Sequence, residues 1–317
     1  IVSLNPKSFL DQKVIDCKDK EQMLVDLDPS EINFNRVDAP EISIIIPVYN
    51  SVEYTLSCLF SLMKQETFYS FEVLIVDDCS NDSTYEKLNN ISTLRYIKNK
   101  DNLGFIKSCN IGANHAKGKY IVFLNNDTLL SPSWLHELRN TFNDFDKVGV
   151  VGSKLIFSDG LLQEAGGIIW EDGSGWNWGR GENPDHPRYN YTRDVDYVSG
   201  CSLMISKALF VETNLFDTDL NTAYYEDTCK CFQIRELGFR VLYQPLSYLT
   251  HFEGISNGTS IKEGVKKHQI ENREIFRNKY RKSLADCHPN GFDVEHASDR
   301  NNSGHILIID SVTPTPD

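Results

Sequence analysis

A chain of 317 residues with 40% hydrophobic and 24% charged residues has the make-up of a soluble globular protein, with room for one large α/β domain plus extra pieces. Its net charge of −13 argues against nucleic acid as a partner, because such proteins normally carry a basic face. No apolar run approaches the roughly 20 residues a membrane span requires, and no signal peptide is visible. Eight cysteines without a C-x-x-C pair argue against a structural zinc site and favour a reduced, cytoplasmic setting.

Residues 1–40 are polar and acidic, with helical hints around Asp19 to Leu27. They read as a leader packing on the main domain, punctuated by Asp38, Ala39 and Pro40. The first residue is Ile rather than Met, so the chain reads as an excerpt of a longer one. From Ile42, strand and helix alternate. Ile42 to Val48 is a near-continuous apolar run, as in a strand buried on both faces. Leu56, Leu59, Phe60 and Met63 then follow helical spacing. Phe71 to Val76 is the second strand, with a helix from about Ser83. Leu94 to Ile97 is the third, before a helix with Phe105, Cys109, Gly112, Ala113 and Ala116 on one face. Tyr120 to Leu124 is the fourth. Ser131 is expected to cap the next helix with Pro132 at its first position, and Leu135, Leu138 and Phe142 form its stripe.

Such repeats predict a mostly parallel sheet with helices on both faces, in which ligands bind outside the carboxyl ends of the strands. Those ends read Tyr49-Asn50, Asp77-Asp78, Asn99 to Gly104, and Asn125 to Asp127. Four polar ends at one edge favour a binding crevice. The last of them presents hard oxygen ligands suited to a divalent cation.

After about residue 150 the alternation breaks. Val148 to Ile156 reads as a strand, 158–194 as a long functional loop rich in Gly, Trp and Tyr, and Tyr197 to Ser206 as a strand again. A helix follows Asp227 and ends at Gly238. A strand runs from Phe239 to Tyr243, with His251 in the loop beyond. Residues 262–282 form a basic amphipathic helix that could touch anionic lipid or be a solvated or interdomain face. Residues 283–304 read as a linker, and His305 to Asp310 as the first strand of a second domain running from 305 to 317.

IIIPVYN, VDDCSNDST, NLGFIKSCNIG, AKGKYIVFLNND, VSGCSLMI, YYEDTCKCFQIRELGF and HFEGIS, in this order, resemble a family 2 glycosyltransferase with the GT-A fold. The resemblance covers roughly 42–260, within a domain bounded at 41–282, and implies a Rossmann-like sheet with a smaller mixed acceptor-side region. GGIIWEDGSGWNWGRGENPDHP, ISNGT and HILIIDSVTPTPD resemble a subgroup of bacterial surface-polysaccharide enzymes (O-antigen or capsule) in which a second, GT-B domain follows. The implied activity is inverting transfer of a sugar from a UDP- or dTDP-sugar to a glycan or lipid-linked acceptor hydroxyl, with Mn²⁺ or Mg²⁺ as cofactor; peripheral contact with the inner membrane face is an expectation added by the basic helix at 262–282.

The resemblance also implies residue roles. Asp127 matches the metal ligand of a D-x-D motif that here reads Asn-Asn-Asp, with Asn126 toward the ribose; a polar turn is the competing reading. Asp78 matches the carboxylate that accepts from the pyrimidine N3–H. Pro47, Tyr49, Asn50, Asn102 and Gly104 complete the nucleotide pocket. Capping of the following helix competes for Asp77 and Asp78, although Ser80 and Asp82 are better placed for it. Asp227 matches the catalytic base, with Glu226 as the alternative. Asp227 also falls where a helix N-cap belongs, and a helix N-terminus would lower its pKa. Cys229 and Lys230 depart from the family's pattern there. His251 matches a position that completes the metal site. Trp176 and Trp178 could stack on sugar rings or plug the loop, and Arg180 could pair with phosphate.

Two rivals remain. A nucleotidyltransferase would need a Gly-rich, basic loop after the first strand, where this chain has PVYNSVEYTL. A catalytically weak scaffold domain beside an active partner would suit the Asn-Asn-Asp variant and the Cys229-Lys230 departure.

Overall fold

The computed structural model describes residues 28–220, 223–253 and 268–300; the leader helix expected near Asp19 and the strand expected at His305 lie outside them. The first half keeps the alternation: β1 (Ile42–Val48), α1 (Val52–Met63), β2 (Phe71–Asp77), α2 (Thr84–Leu88), β3 (Arg95–Lys98), α3 (Phe105–His115) and β4 (Tyr120–Leu124). Then come β5 (Thr128–Leu130), α4 (Trp134–Asp144), β6 (Val148–Ile156), β7 (Leu162–Glu164), β8 (Gly167–Ile169), β9 (Gly175–Asn177) and β10 (Arg193–Asp194). The described elements end with β11 (Ser202–Ser206), α5 (Lys207–Glu212), α6 (Glu226–Glu236), β12 (Arg240–His251), α7 (His268–Lys279), α8 (Arg281–Leu284) and α9 (Val294–Ser298).

The main sheet has the order β10-β12-β6-β11-β4-β1-β2-β3. β3, β2, β1 and β4 pair in parallel, as do β6 and β12, and β11 runs antiparallel between the two halves. Because side chains alternate across a strand, β1 feeds two cores: Ile45 packs with Phe123, Cys109 and Ala113, while Ile44 and Ile46 pack with Leu56, Leu59 and Val122. Gly112 lets α3 lie directly on β1, since a Cβ there would run into Ile45. The described cysteines are all free.

Several boundaries differ from expectation. Ser131 does not cap α4: its N–H goes to the Tyr248 carbonyl, and the helix starts at Trp134, whose buried indole donates to Ser153 and Ser202. Only Ser202–Ser206 of the stretch from Tyr197 is strand; Ser199 to Cys201 form a turn at the sheet's carboxyl edge, where the Cys201 carbonyl accepts from Asn125. β12 does not stop at Tyr243. Pro245 cannot donate to the ladder, so the strand bulges between Gln244 and Tyr248 and resumes to His251. The long loop is organised: β7 pairs with β6, and β8 with β9. Residues 283–300, expected as linker, pack on that layer, with Ala297 against Ile168 and Trp170, and Arg300 bonded to Asp196.

Candidate functional site

The carboxyl ends of β1, β2, β4 and β12, together with the β11 turn and the β7–β9 layer, enclose a cavity of about 930 Å³. Of the expected site residues, all but Asn50 line it. Asn50 sits in the left-handed region (φ 58) and turns away: its N–H donates to Ser80 Oγ, and its own Oδ1 accepts from Asn81 N–H, each at 2.8 Å. It stitches the ends of β1 and β2 together.

The two expected metal ligands are neighbours. β12 sets His251 opposite Thr128, so His251 Nε2 lies 3.2 Å from Asp127 Oδ1. His251 is therefore the buried end of a strand, not a loop residue. That separation is about the edge of an octahedral ion with bonds near 2.1–2.2 Å, and a carboxylate with an imidazole suits Mn²⁺ better than Mg²⁺. His251 Nδ1 lies 3.1 Å from Gln163 Oε1, an arrangement that frees Nε2 for a cation. Burial opposes a charge on His251, while Cys201 and Asp127 favour it, and its proton is held well above the usual value. Burial pushes the Cys201 thiol up, so Asp127 is the anion that keeps this proton, and a cation would take its place. Asn126 lies beside them, its amide tied to Thr55 Oγ1 at 3.0 Å.

Asp78, which also lines the cavity, does not serve the helix that follows it. Its Oδ1 accepts from Leu103 N–H and the Asn99 amide, and its Oδ2 from Gly104 N–H, all at 2.8 Å. Asp78 thus pins the loop of Asn102 and Gly104 at the start of α3, and Tyr49 and Pro47 line the same cavity. Asp82 instead serves α2, accepting from Thr84 N–H. Asp77 is structural, taking Tyr96 Oη–H at 2.6 Å and Ser80 N–H.

Asp227 is not the N-cap of its helix. The cap is Tyr225, and Tyr224 and Tyr225 both have positive φ (76 and 71). Two successive non-glycine residues there store strain, of order 1–3 kcal/mol each. Asn272, fully buried on α7, holds the turn by donating to the carbonyls of Ala223 and Tyr224 at 2.9 Å. Asp227 accepts from Gly200 N–H at 2.9 Å and from Thr228 N–H. The helix end does not lower its pKa as expected: burial pushes the carboxyl up, and these N–H groups offset only part of that. Glu226 is held well above the usual range by burial and by Asp227, and its Oε2 has no hydrogen-bond partner among the described residues. Cys229 and Lys230 do not line the cavity; Lys230 Nζ donates to Thr213 and Gln233.

Trp176 is 43% exposed at the cavity mouth, edge-on to Trp170 at 5.0 Å. Trp178 packs edge-on to Tyr189. Arg180 pairs with Glu253 at 2.7 Å and covers the Phe157 ring. Lining residues that escape a reading of the sequence include Gln163, Glu164, Ser199 and Gly200. The one visible signal is the Gln-Glu pair inside an apolar, glycine-flanked stretch. On α7, Arg273, Arg277 and Lys279 face Asp172, Glu274 and Asp217, and no described helix is long and apolar enough to cross a membrane. Lys262, Lys266 and Lys267 lie outside the described residues.

The fold is that of GT-A glycosyltransferases. Among solved structures it is similar to GalNAc-T7 with UDP, GalNAc and Mn²⁺, at a TM-score of 0.61 and 18% identity over 79% of this chain and 50% of that one. It is also similar to the mannosyltransferase PcManGT from Pyrobaculum calidifontis in complex with GDP-Man and Mn²⁺, at 0.50 and 16%, over 74% and 63%. At these identities the likeness shows the fold alone. Residues 43–210 match Glycosyl transferase family 2, and the chain belongs to that family. An uncharacterized glycosyltransferase of Haemophilus influenzae is 32% identical over 136 residues, 42% of this chain and 41% of the relative. The O-antigen biosynthesis protein RfbC of Myxococcus xanthus is 28% identical over 226 residues, 68% of this chain. The chain spans 18% of RfbC, so it covers well under two thirds of either relative.

Proposed function

We propose that this domain transfers a sugar, with inversion, from a UDP- or dTDP-sugar to a hydroxyl of a glycan or lipid-linked glycan in bacterial surface-polysaccharide synthesis. The observation that carries the reading is one cavity lined by both the Asp127–His251 pair and Asp227. Asp127 and His251 would hold Mn²⁺ or Mg²⁺, which when bound supplies charge neutralisation for the leaving diphosphate. Asp78, Tyr49 and Pro47 form the nucleoside wall, with Asn102, Gly104 and Asn126 beside it. Asp227 takes the proton of the acceptor hydroxyl as that oxygen bonds to the anomeric carbon and the bond from that carbon to the diphosphate oxygen breaks. Trp176 and Trp178 would stack on sugar rings. The setting would be cytoplasmic, beside the inner membrane face and a second glycosyltransferase domain, as the subgroup's motifs imply; the likeness to RfbC supports a place in O-antigen synthesis. In the scaffold alternative the Cys229-Lys230 departure would disturb the site, but both side chains lie away from the cavity.

The test is a screen of UDP- and dTDP-sugars for hydrolysis and transfer with Mn²⁺ or Mg²⁺. Full activity in both Asp127→Ala and Asp227→Asn would overturn the residue assignment. Absence of nucleotide binding in the presence of Mn²⁺ would favour the scaffold.

A further inference from the structure

Glu164, the last residue of β7, is a carboxyl for which the reading above has no task. It is 2% exposed and lines the cavity. The nearby cation Arg180 is drawn to Glu253 instead. Glu164 Oε1 accepts from Ser199 N–H at 3.1 Å, and the next N–H of the same turn, that of Gly200, goes to Asp227 Oδ2 at 2.9 Å. Consecutive donors of one turn thus set two carboxyls side by side on the cavity wall, Glu164 buried and Asp227 half-buried.

We propose that Glu164 is a sugar-recognition residue, bonding a hydroxyl of the sugar seated over Asp227; the inference rests on the glycosyltransferase reading. Two adjacent carboxyls, one of them buried, do not both ionise readily. Asp227 has the N–H groups of Gly200 and Thr228 and the Thr228 hydroxyl to favour its anion, whereas Glu164 has Ser199 N–H. The shared proton therefore falls to Glu164. Burial and then the charge of Asp227 push Glu164 up to about 8, against the pull of Ser199 N–H, His251 and Arg180. The other titratable groups nearby, Tyr197, Cys201, Cys231 and Tyr243, are themselves pushed up by burial and stay neutral. A neutral carboxyl both donates and accepts, as a sugar hydroxyl does. An ionised one would only accept, and would add negative charge beside a departing diphosphate.

The test uses the whole chain with Glu164→Gln, which keeps a donor and an acceptor but cannot ionise, and Glu164→Ala, which keeps neither. Glu164→Gln is expected to stay within about threefold of wild-type kcat/KM at neutral pH and to lose the fall in activity that wild type shows above a pH of about 8. Glu164→Ala is expected to lose about tenfold to a hundredfold in kcat/KM. A loss already present in donor hydrolysis without acceptor assigns the hydroxyl to the donor sugar; a loss confined to transfer assigns it to the acceptor. An active wild type matched by Glu164→Ala, or a Glu164→Gln profile that falls with wild type, overturns the inference and leaves the glycosyltransferase reading standing. A wild type that turns over no sugar nucleotide ends that reading, and this inference with it.

Discussion

His251 Nε2 stands 3.2 Å from Asp127 Oδ1 because the far end of β12 pairs with β5 immediately after Asp127. The pair is rigid: Phe252 N–H bonds the Asp127 carbonyl, and Gln163 lies 3.1 Å from the other ring nitrogen of His251. A cation held here should be essential and removable. Chelation with EDTA is expected to abolish donor hydrolysis, and added Mn²⁺ to restore it. Asp127→Ala should lose activity at any Mn²⁺ concentration. Gln163→Ala should retain activity but need about 10–100-fold more Mn²⁺ for half-maximal rate, as is usual when the partner of a metal-bound histidine is removed. A Mn²⁺ titration of rate in the variants checks this.

Asp227→Asn should lower kcat by about 10²–10⁴-fold, the usual contribution of a general base, while leaving UDP affinity near wild type. The asparagine carbonyl can still accept from Gly200 N–H, so the turn survives. Glu226→Gln should cost far less if Asp227 is the base, and a reversal of that order in steady-state kinetics would exchange their roles. Calorimetric titration with UDP and Mn²⁺ separates a chemical defect from a binding one.

Asn272 is a stability prediction with a functional readout. Its amide satisfies two carbonyls of the strained turn that delivers Glu226 and Asp227. Asn272→Ala leaves those buried acceptors short of a partner and should destabilise the fold by about 1–3 kcal/mol. With the clamp gone, kcat should fall although residue 272 is not among those lining the cavity. Denaturant melts alongside kcat measure both, and a stability loss with kcat unchanged would show that the turn holds its shape without the clamp.

The strand ends were legible because each apolar run stops at polar residues, and a parallel sheet brings such stops to one edge. Asp78, Asn126 and Asp127 reach the cavity for that reason. The place of His251 was hidden by Pro245, which reads as a strand break but makes a bulge that the strand survives. The ionisation of Asp227 was hidden because burial is a tertiary property: the helix-end argument had the right sign but was outweighed by desolvation. Glu164 and Gln163 sit in a three-residue strand whose partner is β6, and the neighbouring layer is tied in by the Gly167–Tyr197 bridge. A Cβ on Gly167 would meet the Tyr197 ring, a constraint visible only once both are placed.

The same buried carboxyl gives a pH dependence of stability. Glu164 is pushed up to about 8 in the fold, from an ordinary value of 4.5. Between those two values the folded state keeps a proton that the unfolded chain releases. Stability contributed by this site is therefore greatest below the lower value, declines as pH rises through the window, and declines no further above about 8. Glu164→Gln has no proton to lose. It should match wild type most closely near the acid end of the window and be the more stable protein at its alkaline end, by an amount on the order of a few kcal/mol at most. Thermal melts of both proteins across the window check the sign. Parallel curves for the two would mean that Glu164 ionises in the folded state much as it does in the unfolded one, and the neutral acid beside Asp227 would have to be abandoned.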